Sequence, residues 1–301
     1  MRNALTIDLE DWYHPELVRH RLPGATPGGN ELRSTLIERS TQLLLDLLRE
    51  RGITATFFVV GEVAQQHPQL IQAIDDQGHE LACHGMSHKP LWEMTAGGFA
   101  AELGMFDSTM GEIAPQADIV GFRAPTFSLD NRTRWALDVL AEHGFGYDSS
   151  VFPVRTPVYG VGNAPLAPYY PSSDDISVAA ERAGVVEFPM SVWPLLRWRI
   201  PVSGGFYLRA LPFRLVLYGL QQINRRRPFA IYIHPWETHP DTPRLPLPAA
   251  SRFVTYYNIS GMLTRLTSLL DTFSFAPMRT VLEELGKLNG QRKAGERAVC
   301  Q

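Results

Sequence analysis

Five short apolar runs in this chain end in side chains able to do chemistry. Ala4 to Leu9 runs into Asp8, Glu10 and Asp11, and Glu80 to Cys83 leads to His84 and, four residues on, His88. Ile119 to Phe122 precedes Arg123, Phe145 to Tyr147 precedes Asp148, and Ala230 to Ile233 precedes His234. Further strands are expected at 55–60, 185–188 and 273–275. Helices are expected between them. Leu36, Leu43, Leu44, Leu47 and Leu48 recur at helical spacing over 32–51, and Gly52 ends that helix. Other helices are expected over 61–77, 94–112, 130–143, 211–226, 260–270 and 277–286. Strand then helix, repeated, argues for parallel strands with crossover helices. In βα barrels the reactive groups sit at the C-terminal ends of the strands, which is where the polar clusters fall here. Residues 14–31, 152–175 and 237–248 break the rhythm and read as loops, the middle one a long insertion. No linker divides the chain, so one catalytic domain is expected over 1–286, with a polar tail over 287–301.

Composition narrows the class. The 301 residues are 45% hydrophobic and 20% charged, an ordinary globular balance. The formal net charge of -3 gives no electrostatic reason to expect nucleic acid. The only cysteines are Cys83 and Cys300, which argues against a disulfide framework and fits a reducing compartment. Asp8 interrupts any apolar core of a signal peptide at the start, and no stretch reaches the roughly 18 apolar residues of a membrane span. A cytoplasmic protein is the expectation.

His84 and His88 are spaced to face the same way on a helical turn. Such a pair alone is common among ordinary histidines, but four other polar clusters accompany this one. Two imidazoles and a carboxylate can hold a divalent metal and leave a position open for water. In a strand Asp8 and Glu10 share one side and Asp11 takes the other, although a chain leaving the strand can turn Asp11 back. Asp8 plus either Glu10 or Asp11 can therefore enter one site. A second carboxylate beside the metal would serve as general base, Arg123 could clamp it, and His234 suits a general acid. Trp193, Phe206 and Tyr207 could form the apolar wall of a pocket. Gly204–Gly205 reads as a close-approach loop. Cys83 should pack away from the histidines, since strand neighbours alternate faces.

The series resembles the polysaccharide deacetylases of carbohydrate esterase family 4, which share the NodB homology domain. The matching residues are Asp8 to Asp11, His84-Gly-Met-Ser-His88, Arg123-Ala-Pro, Asp148-Ser-Ser and Ile233-His234-Pro, in the family's order. The Asp-Leu-Glu-Asp-Trp start and the Tyr-Tyr-Asn-Ile-Ser-Gly stretch resemble a bacterial branch linked to exopolysaccharide. The resemblance implies a distorted (β/α) barrel of about seven parallel strands that removes N-acetyl groups from a saccharide. It implies Asp8 as base, Arg123 as its clamp, His234 as acid, and a divalent ion, zinc by preference, on His84 and His88. This chain departs from the family's adjacent aspartate pair. Asp11 is the expected third ligand, with Glu10 as the alternative. Thr126, Asp148 and Trp193 are expected to contact substrate, Thr126 through a backbone N–H at the oxyanion.

Two competing readings follow. An allantoinase-like relative would hydrolyse another non-peptide C–N bond, and a carbohydrate-binding protein with a dead site would bind without turnover. The presence of base, clamp, ligand and acid candidates speaks against the latter.

Overall fold

The computed structural model describes residues 1–21, 31–181 and 184–288. The expected tail is described only as far as Leu288. Cys300 lies outside the described residues, as do residues 22–30 of the expected first loop.

The strands among the described residues are β1 (Asn3–Leu9), β2 (Thr56–Val59), β3 (Glu80–Cys83), β4 (Gly121–Phe122), β5 (Tyr147–Asp148), β6 (Tyr170–Pro171), β7 (Ala179–Ala180), β8 (Val186–Glu187), β9 (Val192–Leu195), β10 (Trp198–Pro201), β11 (Ala230–Ile233) and β12 (Phe275–Ala276). The helices are α1 (Glu16–Arg19), α2 (Glu31–Glu50), α3 (Gly61–Gln66), α4 (Pro68–Asp76), α5 (Ala96–Ile113), α6 (Trp135–Glu142), α7 (Gly205–Ala210), α8 (Phe213–Asn224), α9 (Ala249–Tyr256), α10 (Met262–Thr272) and α11 (Met278–Glu284). Seven strands form one sheet in the order β11-β1-β2-β3-β4-β5-β8, every pair parallel, with β12 also paired to β1. The sheet curls into a half-barrel, the α/β architecture expected.

The strand pleat decides which side chains meet the site. Leu5, Ile7 and Leu9 of β1 join Phe57, Val59, Leu81 and Cys83 in the core under the helices, with Leu44, Leu48, Ile71 and Phe99. Ala4, Phe58, Ala82, Tyr147 and Tyr232 belong to a second cluster on the other face. Thr6 and Asp8 share the parity of Ala4, so they enter the curl of the sheet. Cys83 takes the helix side, away from the histidines, as expected.

Several elements differ from expectation. The helix expected over 61–77 is two, α3 and α4, because His67 leaves helical geometry (φ -132°, ψ 55°) before Pro68. The long loop holds β6, which pairs antiparallel with β7, while Tyr169 bridges Glu187. The hairpin of β9 and β10 and helices α1, α7 and α9 were not expected. The hairpin's two-residue turn is Leu196–Arg197, without the Asn or Gly that marks such turns in a sequence.

Candidate active site and metal centre

The histidine loop is not helical. Gly85 and His88 both take left-handed backbone, φ 76° and φ 55°. A glycine serves that conformation freely; a histidine holds it at a cost. The loop is clamped from α5: Glu102 Oε2 accepts from the backbone N–H of Met86 and of Ser87, each at 3.0 Å, and Oε1 accepts from Ser87 Oγ at 2.5 Å. The expectation of one helical turn is corrected. The two imidazoles converge because a turn brings them together, with ring centroids 5.1 Å apart.

The carboxylate that meets them is Glu10. Its amide donates to the Asp8 carbonyl at 2.9 Å, so the chain turns tightly as it leaves β1 and keeps Glu10 on the side of Asp8. Glu10 Oε2 lies 2.5 Å from His88 Nε2, and Oε1 lies 2.9 Å from His234 Nε2. Burial opposes a charge on Glu10, but His88 and His234 together hold its carboxyl well below the ordinary range. Asp11, the expected ligand, points elsewhere: its Oδ1 accepts from the Trp12 amide at 2.7 Å. The Asp11 amide in turn donates to His14 Nδ1 at 2.8 Å. His14 is buried with its ring 5.2 Å from that of His88, and burial with the neighbouring His88 pushes its pKa down to about 3. His84 Nδ1 faces the Arg123 carbonyl at 2.7 Å, which fixes the ring and turns Nε2 inward. Burial keeps His84 neutral, its pKa lowered to about 4.

Asp8 and Arg123 form a buried pair. Arg123 Nη1 donates to Asp8 Oδ1 and, at 2.8 Å, to Thr6 Oγ1. Its Nε donates to the Ser149 carbonyl and its Nη2 to Ser149 Oγ, each at 3.0 Å. The guanidinium lies 4.0 Å from the centroid of Phe58. Arg123 is thus fixed on both sides and orients Asp8, the clamp that was expected.

His234 ends β11 and is held by residues the sequence reading missed. Glu237 Oε2 accepts from the His234 amide at 3.1 Å and faces His234 Nδ1 at 2.9 Å. Arg209 donates to Glu237 Oε1 from Nε at 3.0 Å and from Nη2 at 2.8 Å. Burial works against the charge on Glu237, but Arg209 and His234 bring its carboxyl down to about 2. Trp236 stacks on His234, 14° from parallel. Gly205 makes this possible: a Cβ there would stand 1.9 Å from Glu237 Oε2, and one on Gly204 would meet the Tyr232 hydroxyl at 2.5 Å. The Gly-Gly pair is a close-approach loop, as read. Glu-x-x spacing after His234 was the available signal for Glu237; nothing in the sequence marked Arg209.

All these groups open on one cleft of about 390 Å³. Asp8, Glu10, His84, His88 and His234 line it, with Thr126, Phe206, Tyr207, Tyr159 and Trp236 among the walls. Thr126, expected to contact substrate, sits in the cleft wall in a left-handed turn at φ 58°. Asp148 and Trp193 are not in the lining. Asp148 is wholly buried, bonded to the Ser150 hydroxyl and amide. Trp193 packs against Tyr218 and Gly219 of α8. Both expectations of substrate contact are corrected: β5 turns Asp148 into the protein, and β9 leaves the main sheet.

Residues 33–147 match the polysaccharide deacetylase family, and residues 149–283 match a domain of unknown function, DUF3473. The first stretch is thus similar to polysaccharide deacetylase domains, over less than half of this chain. It is 35% identical over 85 residues to the chitooligosaccharide deacetylase of Sinorhizobium fredii, covering 28% of this chain and 40% of that protein. It is 33% identical over 85 residues to the peptidoglycan-N-acetylmuramic acid deacetylase PdaA of Bacillus subtilis, covering 28% and 32%. The match therefore spans less than half of these relatives. A Mycobacterium smegmatis protein solved as a candidate polysaccharide deacetylase shares the fold over 96% of this chain and 92% of its own, at TM-score 0.63 and 21% identity. PuuE allantoinase shares it over 93% and 88%, at TM-score 0.59 and 14% identity.

The histidines of that first stretch, with Glu10 from the strand before it, fit a divalent ion. Donor atoms of Glu10, His84 and His88 all lie within 4.8 Å of one another, and all three residues are buried. Glu10 Oε2 and His88 Nε2 stand 2.5 Å apart, two donor atoms that a cation could share. His84, kept neutral by burial, and the ionised Glu10 carboxylate are donor states that a metal requires.

Proposed function

We propose that this protein is a metal-dependent hydrolase that removes N-acetyl groups from a saccharide. The observation that carries the reading is the convergence, in one cleft, of the clamped Asp8, the Glu10–His84–His88 donor set and the anchored His234. Glu10, His84 and His88 would hold a divalent ion, which when bound would acidify a water and polarise the substrate carbonyl. Two imidazoles and a carboxylate suit zinc and its first-row neighbours.

The chain's own residues supply the rest. Asp8, fixed by Arg123, takes the proton of the attacking water. The carbonyl carbon becomes tetrahedral. Its collapse expels an amine, which leaves only when protonated. His234 gives that proton from Nε2, while Glu237 on Nδ1 fixes the tautomer and Arg209 fixes Glu237. Phe206, Tyr207, Tyr159 and Trp236 offer flat apolar walls to a sugar ring and an acetyl methyl.

The test is acetate release from N-acetylglucosamine oligomers by protein of measured metal content, before and after chelation, and after zinc is restored. Release that falls with chelation and returns with zinc supports the reading. No release at full metal occupancy, with turnover of allantoin instead, would overturn it in favour of the allantoinase-like alternative.

A further inference from the structure

One face of the molecule carries features that the cleft chemistry does not use. The β9–β10 hairpin turns at Leu196–Arg197, where Leu196 is 96% exposed and Trp198 62%. Leu196 adopts φ 54°, a conformation that glycine or asparagine takes more easily than leucine. The hairpin is seated on α8. Trp193 meets Tyr218 edge to face at 5.4 Å, and a Cβ on Gly219 would touch Trp193 and Val202 at 3.2 and 3.3 Å. Tyr218 and, one turn earlier, Leu215 are exposed on that helix. Arg225, Arg226 and Arg227 follow its last turn and border the same shallow groove as Pro194, Leu195 and Tyr218.

Charge is distributed to match. From Phe188 to Trp236 the chain has seven arginines, no lysine, no aspartate and no glutamate. With a total of -3, that stretch carries +7 and the remainder -10. Of these seven, Arg197 lies in the hairpin turn, and Arg225, Arg226 and Arg227 border the groove beside it. Arg209, paired with Glu237, is the one arginine of the seven already placed in the site.

We propose that this face docks on the surface of an anionic lipid bilayer. Leu196 and Trp198 would enter the headgroup region while Arg197, Arg225 and Arg226 meet lipid phosphates. A bilayer suits the shape and the chemistry together. The tip projects instead of forming a pocket, an indole sits well at a membrane interface, and arginines beside it favour anionic headgroups. No helix among the described residues is long and apolar enough to cross a membrane, and the docking proposed for this face is a surface contact. The acidic remainder of the chain would be repelled by the same surface, which fixes the orientation.

Flotation of the full chain with vesicles tests this. Protein should float with phosphatidylcholine–phosphatidylglycerol vesicles at low salt, not with phosphatidylcholine alone, and less as salt is raised. Leu196→Ser with Trp198→Ser, and separately Arg225→Glu with Arg226→Glu, should each lower partitioning at least about tenfold. Their unfolding midpoints should match the wild type, and Trp198→Phe should keep most of the binding. Brominated lipid should quench wild-type tryptophan fluorescence more than that of Trp198→Ser. Absence of flotation with the anionic vesicles, or variants that float like the wild type, overturns the proposal. So does a sedimentation result in which the wild type dimerises without binding vesicles and the Leu196–Trp198 variant is monomeric, since a second copy would then own the face.

Discussion

Because Glu10 lies between His88 and His234, its replacement by glutamine should empty the metal site. Glu10→Gln removes the charge that two imidazoles face, whereas Asp11→Asn removes one that caps the Trp12 amide. Metal content by mass spectrometry should fall from near one per chain to near zero for Glu10→Gln and stay near one for Asp11→Asn; the reverse pattern would return Asp11 to the ligand set. Asp8→Asn should keep the metal and lose at least ~10²-fold in turnover, as for a lost general base. Much of this was legible at the residue level. Strand parity alone puts Asp8 and Glu10 on one side and Asp11 on the other; the preference for Asp11 came from the family's adjacent aspartates, which this chain does not have. Arg209 was not legible, because its partner lies 28 residues away and the two meet only when α7 packs against the turn after β11.

At the scale of elements, the anchoring of His234 depends on the approach of α7 to that turn. Gly205→Ala would put a methyl 1.9 Å from Glu237 Oε2, so the carboxylate would have to give up its place between His234 and Arg209. The variant should lose about 1–3 kcal/mol of stability, as overpacked sites do. Its turnover should also fall while metal content stays, since Glu237 would no longer hold His234. Denaturant unfolding with a kcat measurement checks both; unchanged turnover would detach Glu237 from the acid. Long periodic elements such as α2 and α5 were readable from the sequence. The two-residue strands β4, β5 and β8 were readable only because polar clusters followed them or apolar runs surrounded them. The β9–β10 hairpin was not, since Trp-Pro-Leu-Leu-Arg-Trp has neither clean alternation nor a turn residue.

For the whole molecule, the sheet joins the two matched stretches where β5 meets β8, and the pair at that seam is Asp148 opposite Glu187. The barrel was legible because its strands and helices alternate along the chain; this seam was not, because it pairs strands across the long loop. Both carboxyls are wholly buried. Burial first, and the charge of Asp148 second, push Glu187 well above the ordinary carboxylate range, and burial raises Asp148 too. Glu187 Oε1 accepts from the Val151 amide at 3.0 Å, and a hydrogen bond shared with Asp148 favours the proton on Glu187. Folding therefore takes up a proton here whenever the unfolded chain has lost it. A carboxyl whose folded pKa is raised contributes stability that is fully present below the unfolded value and is lost as pH rises through the folded one. Glu187→Gln keeps the shape without the titration. From about pH 5 to about pH 8 the wild type should lose at least ~1 kcal/mol more stability than Glu187→Gln, measured by urea unfolding at each pH. Other buried groups shift in both directions, but they are common to the two proteins and cancel in the difference. Parallel stability curves for wild type and variant would mean that Glu187 is ionised in the fold and that the seam is held some other way.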